Sequence, residues 1–328
     1  MEYRRFGKTD LQVSVLGFGC GAVGGLMVRG EHQQMIRSVD YALNSGINYF
    51  DTARMYGDGL AEIHTGAVLR ELNASEALIG TKVRVDNYEM GEIERDVSLQ
   101  IDNSLRRLGA DHVDIVYTHN RIGSSRLADQ DALTLEDLER VVSVFDEAVA
   151  AGKISHWGFN ALGDTEVIHT AIKKFQPAGI HTCYNMLNPS SGYEVPAGFP
   201  YQNYNNLITL TDDLGSGSVG IRILAAGALT GSEKRHTLAA QEVAPIATGK
   251  TLQEDLARTS LFEFLVKEGF VKSIVEGAIR FALSNGKLST ALVGFSSFRQ
   301  LKDAVSAAEM GPLPQEVLDR ISGTWAAQ

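Results

Sequence analysis

The feature that most constrains the fold is a regular alternation of short apolar runs with amphipathic segments along nearly the whole chain. The apolar runs have the composition of buried strands, and the segments between them repeat apolar residues at helical spacing. This alternation is typical of parallel βα units. It predicts eight strands, at 13–19, 47–50, 77–82, 113–118, 154–159, 178–183, 219–224 and 290–295.

One predicted helix follows each predicted strand. Glycines at helix ends, such as Gly109 and Gly152, supply stop signals. Eight such pairs without an internal linker favour a closed (β/α)8 TIM barrel of the α/β class, and we expect residues 1–328 to form one domain. The helices are predicted near 32–45, 60–73, 92–108, 134–151, 164–175, 201–214, 270–285 and 298–309.

An open dinucleotide-binding sheet is the main alternative fold, because a Gly-x-Gly-x-x-Gly pattern occurs at 19–24. The pattern is weak, since no predicted helix begins directly behind it. The acidic residue expected at the end of the second strand would be Asp51, which has a better explanation below. We therefore retain the barrel.

Three segments depart from the strand and helix rhythm. Residues 3–13 contain turn residues between two apolar pieces and predict a hairpin that caps one end of the barrel. Long connections at 184–200 and 228–268 follow strands six and seven, and such loops lie over the C-terminal face of a barrel. We expect both connections to form walls of a substrate pocket.

Charge and cysteine content exclude several function classes. With 30 basic and 40 acidic residues the net charge is -10, and no Lys/Arg run predicts a nucleic-acid partner. Cys20 and Cys183 lack metal-binding spacing, so neither a disulfide framework nor a metal site is expected. No apolar run is long enough for a membrane span or a signal peptide. We expect a cytoplasmic protein.

Polar residues stand just beyond the ends of three successive predicted strands. Asp51 and Tyr56 follow the second strand, Lys82 ends the third and His119 follows the fourth. The carboxyl ends of barrel strands meet at one mouth, where active sites are built. These four side chains are therefore expected to share one site.

The sequences INYFDTARMYG at 47–57, ALIGTKV at 77–83 and VDIVYTHN at 113–120 carry a family resemblance. In these motifs the chain resembles the aldo-keto reductase superfamily, and parts of it are similar to sugar dehydrogenases such as the L-galactose dehydrogenase-like members. The resemblance implies a (β/α)8 oxidoreductase that uses NAD(P)(H) to interconvert a carbonyl, in an aldehyde, ketone or sugar, and an alcohol by hydride transfer.

By this resemblance, Tyr56 would donate the proton in reduction and accept it in oxidation. A free phenol has a pKa of about 10, so it needs a neighbouring cation to act near neutral pH. Lys82 would supply that cation and Asp51 would hold it, while His119 would orient the carbonyl.

The resemblance also implies a bound nicotinamide dinucleotide, NADP or NAD, with NADP favoured from the family. The nicotinamide would lie near Cys20, Gly21 and Asp51 and would contact Asn160 and His181. Ile221 or Arg222 replaces the aromatic residue that usually stacks on the ring. The other expected contacts lie in the last residues of strands seven and eight or after them: Arg222, Leu224, Ala225, Gly227, Leu229, Gly294, Ser296, Gln300 and Asp303.

Two other functions remain open from the sequence. One is a non-catalytic, nicotinamide-sensing barrel of the potassium-channel β-subunit type. The other is a metal-dependent TIM-barrel hydrolase with Asp51, His119 and His181 as ligands, although the Lys82 ammonium beside these residues argues against a bound cation.

Overall fold

The fold is a closed barrel of eight parallel strands surrounded by helices. A computed structural model describes residues 1–86, 88–89, 91–126 and 131–327. Its strands are β1 (Tyr3–Arg5), β2 (Gln12–Ser14), β3 (Leu16–Gly19), β4 (Tyr49–Asp51), β5 (Leu78–Val83), β6 (Val113–Thr118), β7 (Arg121–Ile122), β8 (Ala132–Leu133), β9 (Ile154–Asn160), β10 (Gly179–Cys183), β11 (Gly217–Ile221) and β12 (Thr290–Gly294).

The barrel closes in the order β3, β4, β5, β6, β9, β10, β11 and β12, with β12 paired to β3. Each of the eight predicted strands overlaps one barrel strand, so the predicted (β/α)8 fold is confirmed. In this order β4 and β10 lie on opposite sides of the barrel.

Eight helices overlap the predicted ones: α2 (His32–Asn44), α3 (Leu60–Glu71), α4 (Glu92–Leu108), α5 (Leu135–Ala150), α6 (Thr165–Phe175), α7 (Leu207–Asp213), α10 (Ile274–Leu283) and α11 (Phe298–Glu309). Their ends have local causes. At the start of α5 the Thr134 hydroxyl accepts from the backbone N–H of Asp137, in a capping box. At the end of α4, Gly109 adopts a left-handed φ of 62°.

The structure also contains elements that the sequence patterns did not predict. These are the short strands β7 and β8, the helices α1 (Leu26–Arg29), α8 (Leu252–Thr259), α9 (Phe264–Lys267) and α12 (Gln315–Thr324), and 3-10 segments at Ala225–Thr230, Ser260–Phe262 and Trp325–Ala327. Both α8 and α9 lie within the predicted connection at 228–268. Across the part of the chain that the structure describes, no helix has the length and apolar character needed to span a bilayer.

The N-terminal hairpin of β1 and β2 seals the end of the barrel opposite the strand carboxyl ends, as predicted. Phe6 lies in the turn of this hairpin and is buried against the barrel interior. A side-chain carbon added at Gly179 or Gly217 would overlap the Phe6 ring, so both positions need glycine to admit it. Above Phe6, the hydroxyls of Tyr49 and Tyr117 hydrogen-bond to each other at 3.0 Å.

The contact between α3 and α4 gives a stability prediction. A side-chain carbon at Gly66, in α3, would overlap the backbone carbonyl of Leu108 at the end of α4. Gly66→Ala should therefore lower the free energy of unfolding by about 1–3 kcal/mol, because backbone must move. Gly323→Ala in α12 is the matched control, since no atom lies within 4 Å of the added carbon. Urea unfolding that left both variants equally stable would contradict this packing.

Candidate active site

The four residues predicted to carry the chemistry lie together at the carboxyl ends of the barrel strands. Asp51 ends β4, Lys82 lies in β5, Tyr56 follows β4 and His119 follows β6. All four line one cavity of about 740 Å³. Asp51 in β4 pairs with Gly80 in the adjacent strand β5. Lys82 follows Gly80 by two residues, so its side chain points to the same inner face of the barrel.

A buried ion pair forms the floor of this cavity. The ammonium nitrogen of Lys82 lies 2.5 Å from Oδ1 of Asp51 and donates to the backbone carbonyl of Thr52 at 2.8 Å. Both charged side chains are 2% exposed. Burial opposes both charges, yet the Lys82 ammonium holds the pKa of Asp51 below its usual value, and the carboxylate holds the pKa of Lys82 above its usual value. Both groups are therefore charged.

Tyr56 lies directly beside the ammonium. Its ring centroid is 4.9 Å from the nitrogen of Lys82. Burial raises the pKa of the Tyr56 phenol, whereas the charge of Lys82 lowers it and the charge of Asp51 raises it. A side-chain carbon at Gly21 would lie 3.5 Å from the Tyr56 ring, so glycine leaves this side of the phenol open to the cavity.

His119 meets the Tyr56 ring edge-on, with ring centroids 5.5 Å apart and an interplanar angle of 86°. Burial lowers the pKa of His119 to about 3, with the charge of Lys82 acting in the same direction. The imidazole is therefore neutral at physiological pH. Its Nδ1 is buried without a hydrogen-bond partner among the described residues.

Asn160 and His181 both reach the same cavity. The side-chain amide of Asn160 donates to the backbone carbonyl of His119 at 3.0 Å. His181 is buried, and its Nε2 lies 3.2 Å from Oδ2 of Asp51. Its ring packs on Tyr117 with centroids 4.2 Å apart. The contact between His181 and Asp51 was not predicted from the sequence.

Most of the predicted cofactor-binding residues line the cavity, but three do not. Cys20, Ala225 and Leu229 pack in the apolar core between barrel and helices, because their side chains point away from the strand mouth. Burial raises the pKa of the Cys20 thiol to about 12, so it is not a thiolate. The residues on the cavity wall are Gly21, Asp51, Asn160, His181, Arg222, Leu224, Gly227, Gly294, Ser296, Gln300 and Asp303.

The position predicted to stack on the nicotinamide has an unusual backbone. Arg222 follows β11 with a φ of 58°, a left-handed conformation that side chains rarely adopt. The side-chain amide of Asn185 donates to the backbone carbonyl of Arg222 at 3.0 Å. The Arg222 guanidinium donates to the backbone carbonyl of Ala244 at 3.1 Å. Ile221 also lines the cavity, so both residues considered for this position reach it.

Basic side chains on one part of the cavity wall were not predicted from the sequence. Arg235 donates to the carbonyl of Ala226 at 2.7 Å, and Lys272 precedes α10 on the same cavity. The run Lys234, Arg235, His236 was visible in the sequence, but it belongs to no motif that predicts a site. Only the folded 228–268 connection brings it to the strand mouth, which agrees with the pocket wall predicted for that connection.

Residues 184–200, for which a pocket wall is predicted, do not border the described part of this cavity. The first half of this segment folds inward instead. The side-chain oxygen of Asn185 accepts from the amides of Leu187 and Asn188 at 2.9 Å each, and Met186 and Leu187 are buried in the core. The polar side chain of Asn185 in this segment therefore stabilises a turn of the backbone.

The geometry gives no support to a metal-dependent hydrolase. Within the described ranges, no group of three or more histidine, cysteine and acidic side chains is placed to hold a metal ion. The cation that balances the Asp51 carboxylate is the ammonium of Lys82.

A comparison with protein families agrees with this site. The family model described as the aldo/keto reductase family matches residues 15–326. The chain belongs to this family. Its members are oxidoreductases that act on carbonyls, and the match spans every strand of the barrel.

Several relatives of this aldo/keto reductase cover nearly its whole length. L-glyceraldehyde 3-phosphate reductase of Escherichia coli is 25% identical, covering 100% of this chain and 95% of the relative. L-galactose dehydrogenase of Arabidopsis thaliana is 26% identical, covering 98% and 93%. A probable voltage-gated potassium channel subunit beta of Oryza sativa is 24% identical, covering 98% and 95%.

Among solved structures, the barrel is similar to the holo form of aldo-keto reductase AKR11C1 from Bacillus halodurans. The TM-score is 0.73 at 24% identity, covering 98% of this chain and 96% of that one. This likeness supports the (β/α)8 fold.

The buried ion pair gives a second stability prediction. Asp51→Asn should lower the free energy of unfolding by about 3–5 kcal/mol, because it leaves the buried Lys82 ammonium uncompensated. The double variant Asp51→Asn/Lys82→Met should be more stable than Asp51→Asn alone, since it removes both charges. Denaturant unfolding of the wild type, both single variants and the double variant measures the coupling. Additive losses would contradict a direct ion pair.

Proposed function

We propose that this aldo/keto reductase is an NAD(P)(H)-dependent oxidoreductase that interconverts a carbonyl and an alcohol by hydride transfer, with Tyr56 as proton donor and acceptor. The observation that carries the proposal is the position of the Lys82 ammonium, 2.5 Å from the Asp51 carboxylate and 4.9 Å from the Tyr56 ring. This places a fixed cation beside a phenol that faces an open cavity.

The protein's own residues supply the proton chemistry. When bound, a nicotinamide dinucleotide supplies the hydride in reduction and accepts it in oxidation. Tyr56 gives its proton to the carbonyl oxygen as negative charge develops there, and Lys82 stabilises the phenolate that remains. Asp51 holds the ammonium in place. His119, which is neutral, hydrogen-bonds the substrate oxygen and orients it toward Tyr56.

The same residues serve the reverse direction. In alcohol oxidation the Tyr56 phenolate accepts the hydroxyl proton, because a group that acts as acid in one direction acts as base in the other. The charge of Lys82 favours the phenolate in both directions.

The cavity fits an elongated dinucleotide. At about 740 Å³ it runs from Asp51 and Asn160 at the barrel mouth to Gln300 and Asp303 on α11. We assign the nicotinamide to the barrel mouth, the pyrophosphate to the turn at Leu224 and Gly227, and the adenosine to the wall formed by Ser296 and α11. Gly227, with a φ of 104°, lets the backbone turn toward the phosphates without a side chain in the way.

The substrate class that we propose is a small polar carbonyl compound or the matching alcohol, with sugars and their derivatives as first candidates. The relatives named for L-galactose and for L-glyceraldehyde 3-phosphate support this choice.

A nicotinamide-sensing role of the channel-subunit type is the second candidate, favoured by the similarity to the Oryza sativa protein. It predicts dinucleotide binding with negligible turnover. Asp51, Tyr56, Lys82 and His119 lie in one cavity, so the groups that turnover needs are in place, and a measured turnover rate separates the two candidates.

The central test of the enzyme is the loss of the Tyr56 hydroxyl. Tyr56→Phe should lower kcat by about 100-fold or more with aldehyde and sugar substrates, because general acid catalysis contributes about 10²–10⁴-fold. Oxidation of the reduced nicotinamide is followed by its absorbance, and a chelator should leave the rate unchanged. Tyr3→Phe removes a hydroxyl from an exposed tyrosine and is the matched control.

A Tyr56→Phe enzyme with wild-type activity would contradict the assigned proton donor. Tight dinucleotide binding without turnover by the wild type on any carbonyl or alcohol would instead support the sensing role.

Cofactor preference gives a further prediction. We propose that NADP binds more tightly than NAD, and that Lys272, on the adenosine side of the cavity, meets the additional phosphate. Lys272→Ala should then weaken NADPH binding about fivefold and leave NADH binding unchanged, as expected for an exposed charge contact. Lys267→Ala, at the exposed end of α9, is the control. Equal weakening of both cofactors, measured by fluorescence titration, would contradict this assignment.

A further inference from the structure

The Asp51 carboxylate has a second oxygen that the ion pair does not use. Lys82 lies on Oδ1, while Oδ2 is buried and has no hydrogen-bond partner among the described residues. A buried carboxylate oxygen without a donor is costly. This oxygen therefore marks a position at which the active site needs a further group.

The atom nearest to meeting that need is Nε2 of His181, 3.2 Å from Oδ2. It is also buried without a hydrogen-bond partner in the described part of the chain. Both side chains are 2% exposed, so water does not compete for the contact. The two atoms are at hydrogen-bonding distance from each other.

The barrel holds the imidazole at this place. His181 lies in β10, on the opposite side of the barrel from Asp51 in β4, so its side chain crosses the barrel interior. Its ring packs against Tyr117 with centroids 4.2 Å apart, and the Tyr117 hydroxyl is tied to that of Tyr49 at 3.0 Å. The ring is therefore supported from below by a fixed aromatic layer.

We propose that His181 is a positioning residue for the catalytic ion pair: its imidazole N–H fixes Oδ2 of Asp51, so that Oδ1 stays on the Lys82 ammonium beside Tyr56. The proposal rests on the proposed function and deepens it. It gives His181 a role through Asp51, in place of the nicotinamide contact that the family resemblance implies for this position.

The surroundings of His181 decide its charge. The groups that face it are Asp51 on β4, Lys82 on β5, Tyr117 and His119 from β6, and Asn160 on β9. Burial lowers the pKa of His181, although Asp51 acts against this. A neutral imidazole carries one N–H, which is enough to serve Oδ2 while leaving Asp51 and Lys82 as the charged pair.

Loss of the His181 donor should raise the pKa of Tyr56. Without it the buried Asp51 anion is less stable and draws more strongly on the proton of Lys82. The positive charge beside Tyr56 is then weaker, so the pKa of the phenol rises. Alcohol oxidation, which needs the Tyr56 phenolate, should therefore require a higher pH.

The test compares His181→Phe, which keeps a ring but removes the donor, with His181→Gln, which keeps a donor. For His181→Phe we expect the acidic limb of the kcat profile for alcohol oxidation to move up by about one pH unit, with kcat about tenfold lower at neutral pH. The Kd of the reduced cofactor should change less than about twofold. His181→Gln should recover most of the profile.

The control is His32→Gln, which breaks a histidine and carboxylate pair of 2.8 Å on the surface, with Glu71. It should leave both the profile and the Kd unchanged. A tenfold higher Kd for the reduced cofactor with an unchanged pH profile in the His181 variants would overturn the proposal and would indicate that His181 binds the cofactor. Unchanged values of both would also overturn it.

A second variant and a second measurement test the role of His181 if His181→Phe does not fold or the wild type is inactive. If His181→Phe does not fold, His181→Asn replaces it, with a smaller shift expected in the same direction because its donor is shorter. Tyr56 ionisation can also be read without turnover, as the difference in tyrosinate absorbance between each protein and its Tyr56→Phe counterpart. An upward shift there with an inactive wild type would support the role of His181 while contradicting the proposed function.

Discussion

The active site depends on one buried ion pair, Lys82 with Asp51. Two opposite charges of 2% exposure, held 2.5 Å apart, are costly to desolvate and are stable only together. This constraint sets the chemistry around it, because a fixed ammonium favours the anion of whatever acid lies beside it. The acid that the barrel places there is Tyr56, and the neutral His119 leaves the charge balance undisturbed.

The barrel brings these residues together. Residues from β4, β5, β6 and β10 meet at the mouth although they are far apart in the sequence, because parallel strands bring their carboxyl ends to one face. Below them, Tyr49 and Tyr117 form a buried layer, and Phe6 from the hairpin fills the far end against Gly179 and Gly217. Apolar packing thus closes one end of the barrel, and the polar site lies at the other end.

Much of this could be predicted from the sequence, because the strand pattern and the positions of Asp51, Tyr56, Lys82 and His119 are local signals. A strand end is visible in the sequence, and all strand ends of a barrel share one face. The contact between His181 and Asp51 could not be predicted, since it joins opposite strands across the barrel and depends on side-chain direction. The connections at 184–200 and 228–268 looked alike in composition, yet only the second reaches the cavity. Loop composition does not encode where a loop packs.

We infer that the Lys82 charge makes the Tyr56 phenol a usable acid and base. The most direct measurement is the ionisation of Tyr56, read as the tyrosinate absorbance of the protein minus that of its Tyr56→Phe counterpart, with Lys82 and with Lys82→Met. Tyr56 should ionise at a lower pH when Lys82 is present. An unchanged pKa, or a lower pKa in Lys82→Met, would contradict it.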